Sequence, residues 1–169
     1  MILLPEHFYL NDTPALARSL LGKYLMRRID KEIHAYIISE VEAYHGLEDK
    51  ACHARFGRTR RNEVMFQSGG RWYIYLCYGI HWMLNIVTGD TTHPAAILIR
   101  GIDNVFGPGK VTKMLQIDKR LNGKLAVESE NLWIEDHGYI PQQIIATPRI
   151  GIAYAQEYKD VPWRFVLIQ

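Results

Sequence analysis

The stretch WYIYLCYGIHWMLNIV, residues 72–87, constrains the fold of this chain more than any other. It is almost wholly aromatic and aliphatic, yet it is no membrane helix. His81 and Asn85 interrupt it, Gly79 splits it, and it falls short of the roughly 20 apolar residues that a span needs. Strand-forming residues on both sides of Tyr78-Gly79 predict a β-hairpin. Two-residue hairpin turns usually carry Asn-Gly or Asp-Gly. Here a tyrosine holds the first turn position and tolerates positive φ poorly, so a shifted or wider turn is expected. Either way a large ring sits at the tip. Several minor-groove proteins use an apolar wedge of this kind to unstack base pairs. The alternative is a tip folded under another loop, with Tyr78 in the core.

Such a hairpin needs a core to rest on. The chain has 169 residues, 48% hydrophobic and 22% charged, which fits one domain over 1–169 that buries its apolar surface without staples. Two cysteines are too few for a disulfide framework. The opening MILLPEHFYLNDT lacks the basic leader and long apolar stretch of a signal peptide, so a reducing intracellular compartment is expected. No repeat, low-complexity tract or linker breaks the chain.

Asn11-Asp-Thr-Pro14 predicts a helix start, with Asp12 or Thr13 as cap and Pro14 in the first turn. Asn11-Asp12-Thr13 is formally a glycosylation sequon, but capping is the better reading without an export signal. Leu16, Leu20 and Leu21 supply an apolar stripe that Gly22 ends. KYLMRRI and EIHAYIISEVEAY then predict a hairpin turning at Asp30-Lys31, and a polar stretch follows from His45 to about Gly57. AAILIRGI predicts a further strand. Gly107-Pro-Gly109 predicts a helix over about Lys110 to Arg120. LWIED, IIATPRIGI and VPWRFVLI predict short closing strands and loops. With little βαβ alternation, the fold class expected is α+β with a mostly antiparallel sheet.

In IISEVEAYHG, a regular strand would place Ile38, Glu40, Glu42 and Tyr44 on one face, and Ser39, Val41 and Ala43 on the other. Two carboxylates among apolar neighbours are either ordinary solvated glutamates or buried groups that need partners and can serve as a general base. Asn85, between Leu84 and Ile86, must bond to backbone, side chain or ligand, since an unpaired buried amide costs about 1–3 kcal/mol. Arg100 ends an apolar strand, so it pairs with Glu40 or Glu42 or is aimed at a phosphate. Twenty basic against eighteen acidic residues give a net charge of only +2, but Arg55, Arg58, Arg60 and Arg61 fall close together. That run is either a solvated loop or one basic face. Among seven histidines and two cysteines, Cys52, His53, Cys77 and His81 lack the paired spacing of a structural zinc site. There is no HExxH, GxGxxG or P-loop.

Taken in order, SEVEAYHGLEDKACHA, TRRNEVMF, GGRWYIYLCYGIHWMLNIVT, AAILIRGI, FGPGKVTKML and PRIGIAYAQEYKDVPWRF resemble the alkyladenine (3-methyladenine) DNA glycosylase family over nearly the whole chain. The resemblance implies a single α+β domain with a curved, open-barrel-like antiparallel sheet, flanking helices and a protruding β-hairpin. It implies that Glu42 activates the water that attacks the anomeric carbon of a flipped nucleotide, with Arg100 near that water and the adjacent phosphate. Tyr44 and Tyr75 would sandwich the extruded base, with His53 completing the pocket. Asn85 would crowd the exocyclic amine of guanine, and Tyr78 would fill the gap left in the duplex. Arg58, Arg60 and Arg61 are the candidates for backbone contacts. The family implies double-stranded DNA containing damaged purines as partner, no metal or organic cofactor, no membrane, a monomer, and an intracellular, DNA-associated location. Two other readings stand beside it. A non-catalytic nucleic-acid-binding domain would keep the basic loops without needing Glu42, and a metal-assisted nuclease would need convergent carboxylates and histidines.

Overall fold

The computed structural model describes residues 2–10 and 12–168. Asn11, the asparagine of the formal sequon, lies outside the described residues. In chain order the strands are β1 (Ile2–Leu3), β2 (Tyr24–Ile29), β3 (Glu32–Tyr44), β4 (Trp72–Cys77), β5 (His81–Thr88), β6 (Ala95–Ile102), β7 (Val105–Phe106), β8 (Leu132–Asp136), β9 (Gln143–Thr147) and β10 (Arg164–Ile168). Among the described residues two α-helices flank them, α1 (Thr13–Leu20) and α2 (Pro108–Met114).

Among the described residues all pairings are antiparallel, and the main path runs β1-β8-β2-β3-β6-β5-β4. The fold is single-domain α+β with an open sheet. Its spine is β3, which is rich in β-branched and aromatic residues and long enough to serve two partners on one edge. Its first half, Glu32–Ile37, pairs with β2, and Glu40–Glu42 pairs with β10. On the other edge, Ile38–Tyr44 pairs with β6. Its register with β6 shifts between Ile38 and Glu40 and again between Glu40 and Val41. Such bulges bend a strand and re-aim its side chains.

The sheet is covered on both faces. Leu16, Leu20, Ile38, Trp72, Leu84 and Ile97 belong to the larger apolar core under the helices. On the other face, Tyr73, Val87 and Ala96 pack with Cys52, Val64 and Met65 from the segment joining β3 to β4. The alternation of Trp72 and Ile74 with Tyr73 and Tyr75 divides that strand between the two layers.

Local signals explain the element ends. Asp12 caps α1 by accepting from the Ala15 N–H at 3.1 Å, and Gly22 leaves it at φ +85°. Asp30 and Lys31 turn the β2–β3 hairpin with φ of +48° and +73°. The helix expected over Lys110–Arg120 starts earlier and is shorter. Gln116 takes φ +50° just beyond it, and Asp118 caps a separate 3-10 turn, Lys119–Leu121. In IIATPRIGI only the part up to Thr147 is strand. Pro148, which has no N–H to give to a ladder, follows.

Candidate active site

The second half of β3 carries the chemistry. Val41 and Ala43 point into the larger core, while Glu40, Glu42 and Tyr44 share the opposite face. Ile38 does not join them, contrary to strict alternation. The register shift next to Glu40 turns Ile38 into the apolar core. The reading of these glutamates as solvated side chains is also overturned. Glu42 is fully buried and Glu40 nearly so, because β6 and β10 close over both edges of the strand.

A buried carboxylate must be satisfied, and Glu42 is. Its Oε1 accepts the Ile150 N–H at 2.7 Å. Its Oε2 accepts the Tyr44 hydroxyl at 2.8 Å and an Arg100 guanidinium N–H at 3.3 Å. Arg100 pairs with both glutamates, since its Nε also donates to Glu40 Oε1 at 3.0 Å. Arg164 donates its Nε to the same Glu40 oxygen at 2.6 Å. Four charges therefore alternate in a line, Arg164–Glu40–Arg100–Glu42. Burial first, and then the adjacent Glu42 carboxylate, hold the Tyr44 phenol well above its ordinary range, so Tyr44 is the donor in their bond.

In front of this line lies a pocket whose walls include Tyr44, His53, Tyr73, Tyr75, Asn85 and Met65. The sequence-predicted residues Tyr44, Tyr75, His53 and Asn85 thus meet in one cavity, with Glu42 bonded to its wall. His53 Nδ1 lies 2.9 Å from the Tyr73 hydroxyl, and its ring meets Tyr75 edge-on at 4.7 Å. Burial, followed by the nearby Arg61 and Arg55, pushes the His53 imidazole below its ordinary value, so it is neutral at pH 7. Asn85 donates its amide to the Tyr73 carbonyl at 3.0 Å and to the Met83 carbonyl at 3.4 Å. Those bonds hold the amide in the wall of the pocket and settle its donor side.

The hairpin tip stands clear of the protein. Tyr78 is 93% exposed, which excludes the core position. The turn is not shifted away from it either. Tyr78 and Gly79 take φ of +50° and +70°, and the Ile80 N–H closes the turn on the Cys77 carbonyl at 3.0 Å. The connection is wider by one residue, because Cys77 pairs with His81. A non-glycine residue at positive φ carries strain of order 1–3 kcal/mol, so the tip holds its ring outward at a cost. Arg58 and Arg60 are exposed on the loop beside the pocket. Arg61 instead folds onto the hairpin, donating to the Leu76 carbonyl at 3.1 Å and lying 5.4 Å from the Tyr75 ring centre. A second cleft, lined by His53, Phe56, Thr59, Arg61, Asn62 and Tyr154, adjoins the pocket on this side.

Sequence reasoning missed what holds these groups in place. Asp49 and Arg149 form a fully buried bidentate pair at 2.6 and 2.9 Å. Asp49 also accepts the His45 and Ala51 N–H groups, each at 3.0 Å, which folds the loop after β3. The Arg149 guanidinium lies 4.8 Å from the Tyr44 ring centre and 5.2 Å from that of Trp163. Because Arg149 is buried and Tyr44 lines the pocket, the cation backs the ring. Asn62 donates to the carbonyls of His53 and Gly57 at 3.0 and 2.9 Å. The one local hint was a lone charge, Arg149, in the mostly apolar IIATPRIGI, and it does not name a partner.

Burial pushes the Cys52 thiol up to about 12, so it is not a nucleophile at neutral pH. Among the described residues, no group of three or more His, Cys, Asp and Glu is placed to hold a metal ion. No helix among them is long and apolar enough to cross a membrane.

A buried carboxylate behind an aromatic pocket, lined by a hairpin with an exposed aromatic tip, is a specific arrangement. The sequence matches the methylpurine-DNA glycosylase family over residues 7–106 and 103–169. The chain belongs to that family. Methylpurine-DNA glycosylases are DNA-repair enzymes, and DNA is their partner. Three relatives are each named "Putative 3-methyladenine DNA glycosylase". The Chlamydia felis protein is 41% identical over 98% of this chain and 96% of its own length. The one from Methanocella arvoryzae is 41% identical over 98% and 92%. That of Borreliella burgdorferi is 38% identical over 96% and 94%.

Proposed function

We propose that this methylpurine-DNA glycosylase flips an alkylated or deaminated purine out of double-stranded DNA and hydrolyses its N-glycosidic bond. Its substrates are of the 3-methyladenine, 7-methylguanine, hypoxanthine and ethenoadenine class. The observation that carries this reading is Glu42, fully buried and bonded to the Tyr44 hydroxyl at the wall of an aromatic pocket.

A carboxylate has about four acceptor sites. Three on Glu42 are taken, two on Oε2 and one on Oε1. The remaining site on Oε1 receives a water hydrogen. Water attacks C1′, its proton passes to Glu42, and the glycosidic electron pair leaves with the purine. The products are a free base and an abasic site, and the step uses no metal or organic cofactor. Arg100 offsets the charge of Glu42 and reaches towards the adjacent phosphate. Tyr44 and Tyr75 take the base between them, which suits a cationic alkylated purine. Neutral lesions need prior protonation, so their excision depends on pH. Asn85 excludes guanine by crowding its exocyclic amine, and His53 closes the pocket. Tyr78 fills the vacated stack, offsetting the few kcal/mol that extrusion costs. Arg58, Arg60 and Arg61 contact the backbone. The enzyme works as a monomer in the intracellular compartment that holds the DNA.

The test replaces Glu42 with Gln, which keeps the shape and removes the base. Single-turnover excision from a 7-methylguanine duplex, read by alkaline cleavage at abasic sites, should fall by at least roughly 10²–10⁴-fold while lesion binding persists. Near-normal turnover would overturn the role.

A further inference from the structure

The charged line behind the pocket contains one carboxylate that the reaction above does not use. Glu40 is buried, yet it is not among the residues that line the pocket. Its Oε1 stands between two guanidinium groups, 3.0 Å from Arg100 Nε and 2.6 Å from Arg164 Nε. Arg100 is thereby shared, with Nε on Glu40 and a terminal nitrogen 3.3 Å from Glu42. The bond to Glu40 is the shorter of the two. We propose that Glu40 is a positioning residue that divides the charge of Arg100, keeping Glu42 basic enough to take a proton from water.

Opposing charges meet here in a small, mostly buried space. Alone, Arg100 would turn both forks of its guanidinium onto Glu42, the usual bidentate arrangement of an arginine and a carboxylate. A carboxylate gripped in that way is a weak base. Glu40 holds the Nε edge, so only one fork is left for Glu42. Arg164 in turn limits how strongly Glu40 can draw. It stands opposite Glu42 in the β3–β10 register, but its side chain runs to Glu40 and to the Thr147 hydroxyl at 3.1 Å. The other groups facing Glu42 are the Tyr44 phenol, the Ile150 N–H, the Tyr75 phenol across the pocket, and the Asp49–Arg149 pair behind Tyr44. That last pair brings both charges together, so beyond Arg100 itself the charges that set the balance at Glu42 are those of Glu40 and Arg164.

This inference rests on Glu42 being the general base, and the experiment separates the two. Single-turnover excision of 7-methylguanine is followed against pH in the wild type, Glu40→Gln and Arg164→Gln. The lesion is already cationic, so purine protonation does not contribute. In the wild type the rate should fall on the acid side. Removing the Glu40 charge strengthens the hold of Arg100 on Glu42. The acid limb should then move to lower pH by on the order of one unit, and the plateau rate should drop. Removing the Arg164 charge does the reverse, and the limb should move to higher pH. Loss of packing alone would lower the rate at every pH without moving the limb, and it could not move it both ways. If Glu40→Gln does not fold, Glu40→Gln with Arg164→Gln removes the charges as a pair, and its limb should lie near that of the wild type. A wild-type limb that neither single variant moves, or a double variant displaced further than Arg164→Gln alone, overturns the assignment to Glu40. A wild-type profile with no acid limb overturns the general-base reading itself, and this inference with it.

Discussion

Asn85 shows how one side chain serves the strand pair and the pocket together. Its amide nitrogen is committed to the backbone carbonyls of Tyr73 and Met83, so the group is held rigidly where it lines the cavity. A rigid polar group rejects a larger ligand better than a mobile one, because it cannot swing aside without losing its bonds. Asn85→Ser shortens the side chain and enlarges the cavity beside Ala96 and Met65. Release of guanine or methylated guanine from duplex DNA should rise relative to the other lesions, measured as free base by chromatography. An unchanged base preference, or a variant that no longer folds, would make Asn85 a structural amide.

At the scale of elements, the β4–β5 hairpin couples a strained turn to an exposed ring. Tyr78→Gly removes both at once. Glycine accepts the left-handed conformation without a side-chain penalty, though it adds freedom to the unfolded chain, so the two effects nearly cancel. The melting temperature should stay within a few degrees of the wild type. Binding to a lesion duplex should nonetheless weaken very roughly tenfold or more, taking about 1–3 kcal/mol for a base–aromatic stack. Well-paired lesions should suffer most and mismatched ones least. A drop in melting temperature with equal losses on every substrate would mean that the ring supports the fold. The hairpin, the Asp30-Lys31 turn and the Asp12 cap were all legible in the sequence, since each is written in neighbouring residues. The over-long reading of α2 failed because apolar spacing does not reveal that Gln116 adopts positive φ. The position of Ile38 failed because a bulge leaves no mark on alternation. The resemblance put names to the pocket residues, and the structure draws four of them into one cavity. The Asp49–Arg149 pair was illegible, since nothing local to either residue points to a partner a hundred positions away.

For the whole molecule, that pair is a buried tie between segments a hundred positions apart. It joins the loop after β3 to the segment before β10, with Tyr44 and Trp163 stacked on the cation. Arg149→Met keeps much of the volume but leaves Asp49 charged and buried, which typically costs about 3–5 kcal/mol. Urea denaturation should show a loss of that order, and a loss under about 1 kcal/mol would mean that water or a second partner reaches Asp49. The same tie has a consequence in time. The N–H that fixes Glu42 comes from a residue 108 positions away, and the guanidinium beside Glu40 comes from one 124 positions away. Contacts that close such long loops are among the slowest to form. The β4–β5 hairpin closes a short loop and can form early. A partly folded molecule can therefore carry the exposed Tyr78 tip while Glu42 is still unheld. If Glu42 is the base proposed above, excision waits for the last of these closures, and a half-made or fraying copy would meet DNA without releasing a base from it.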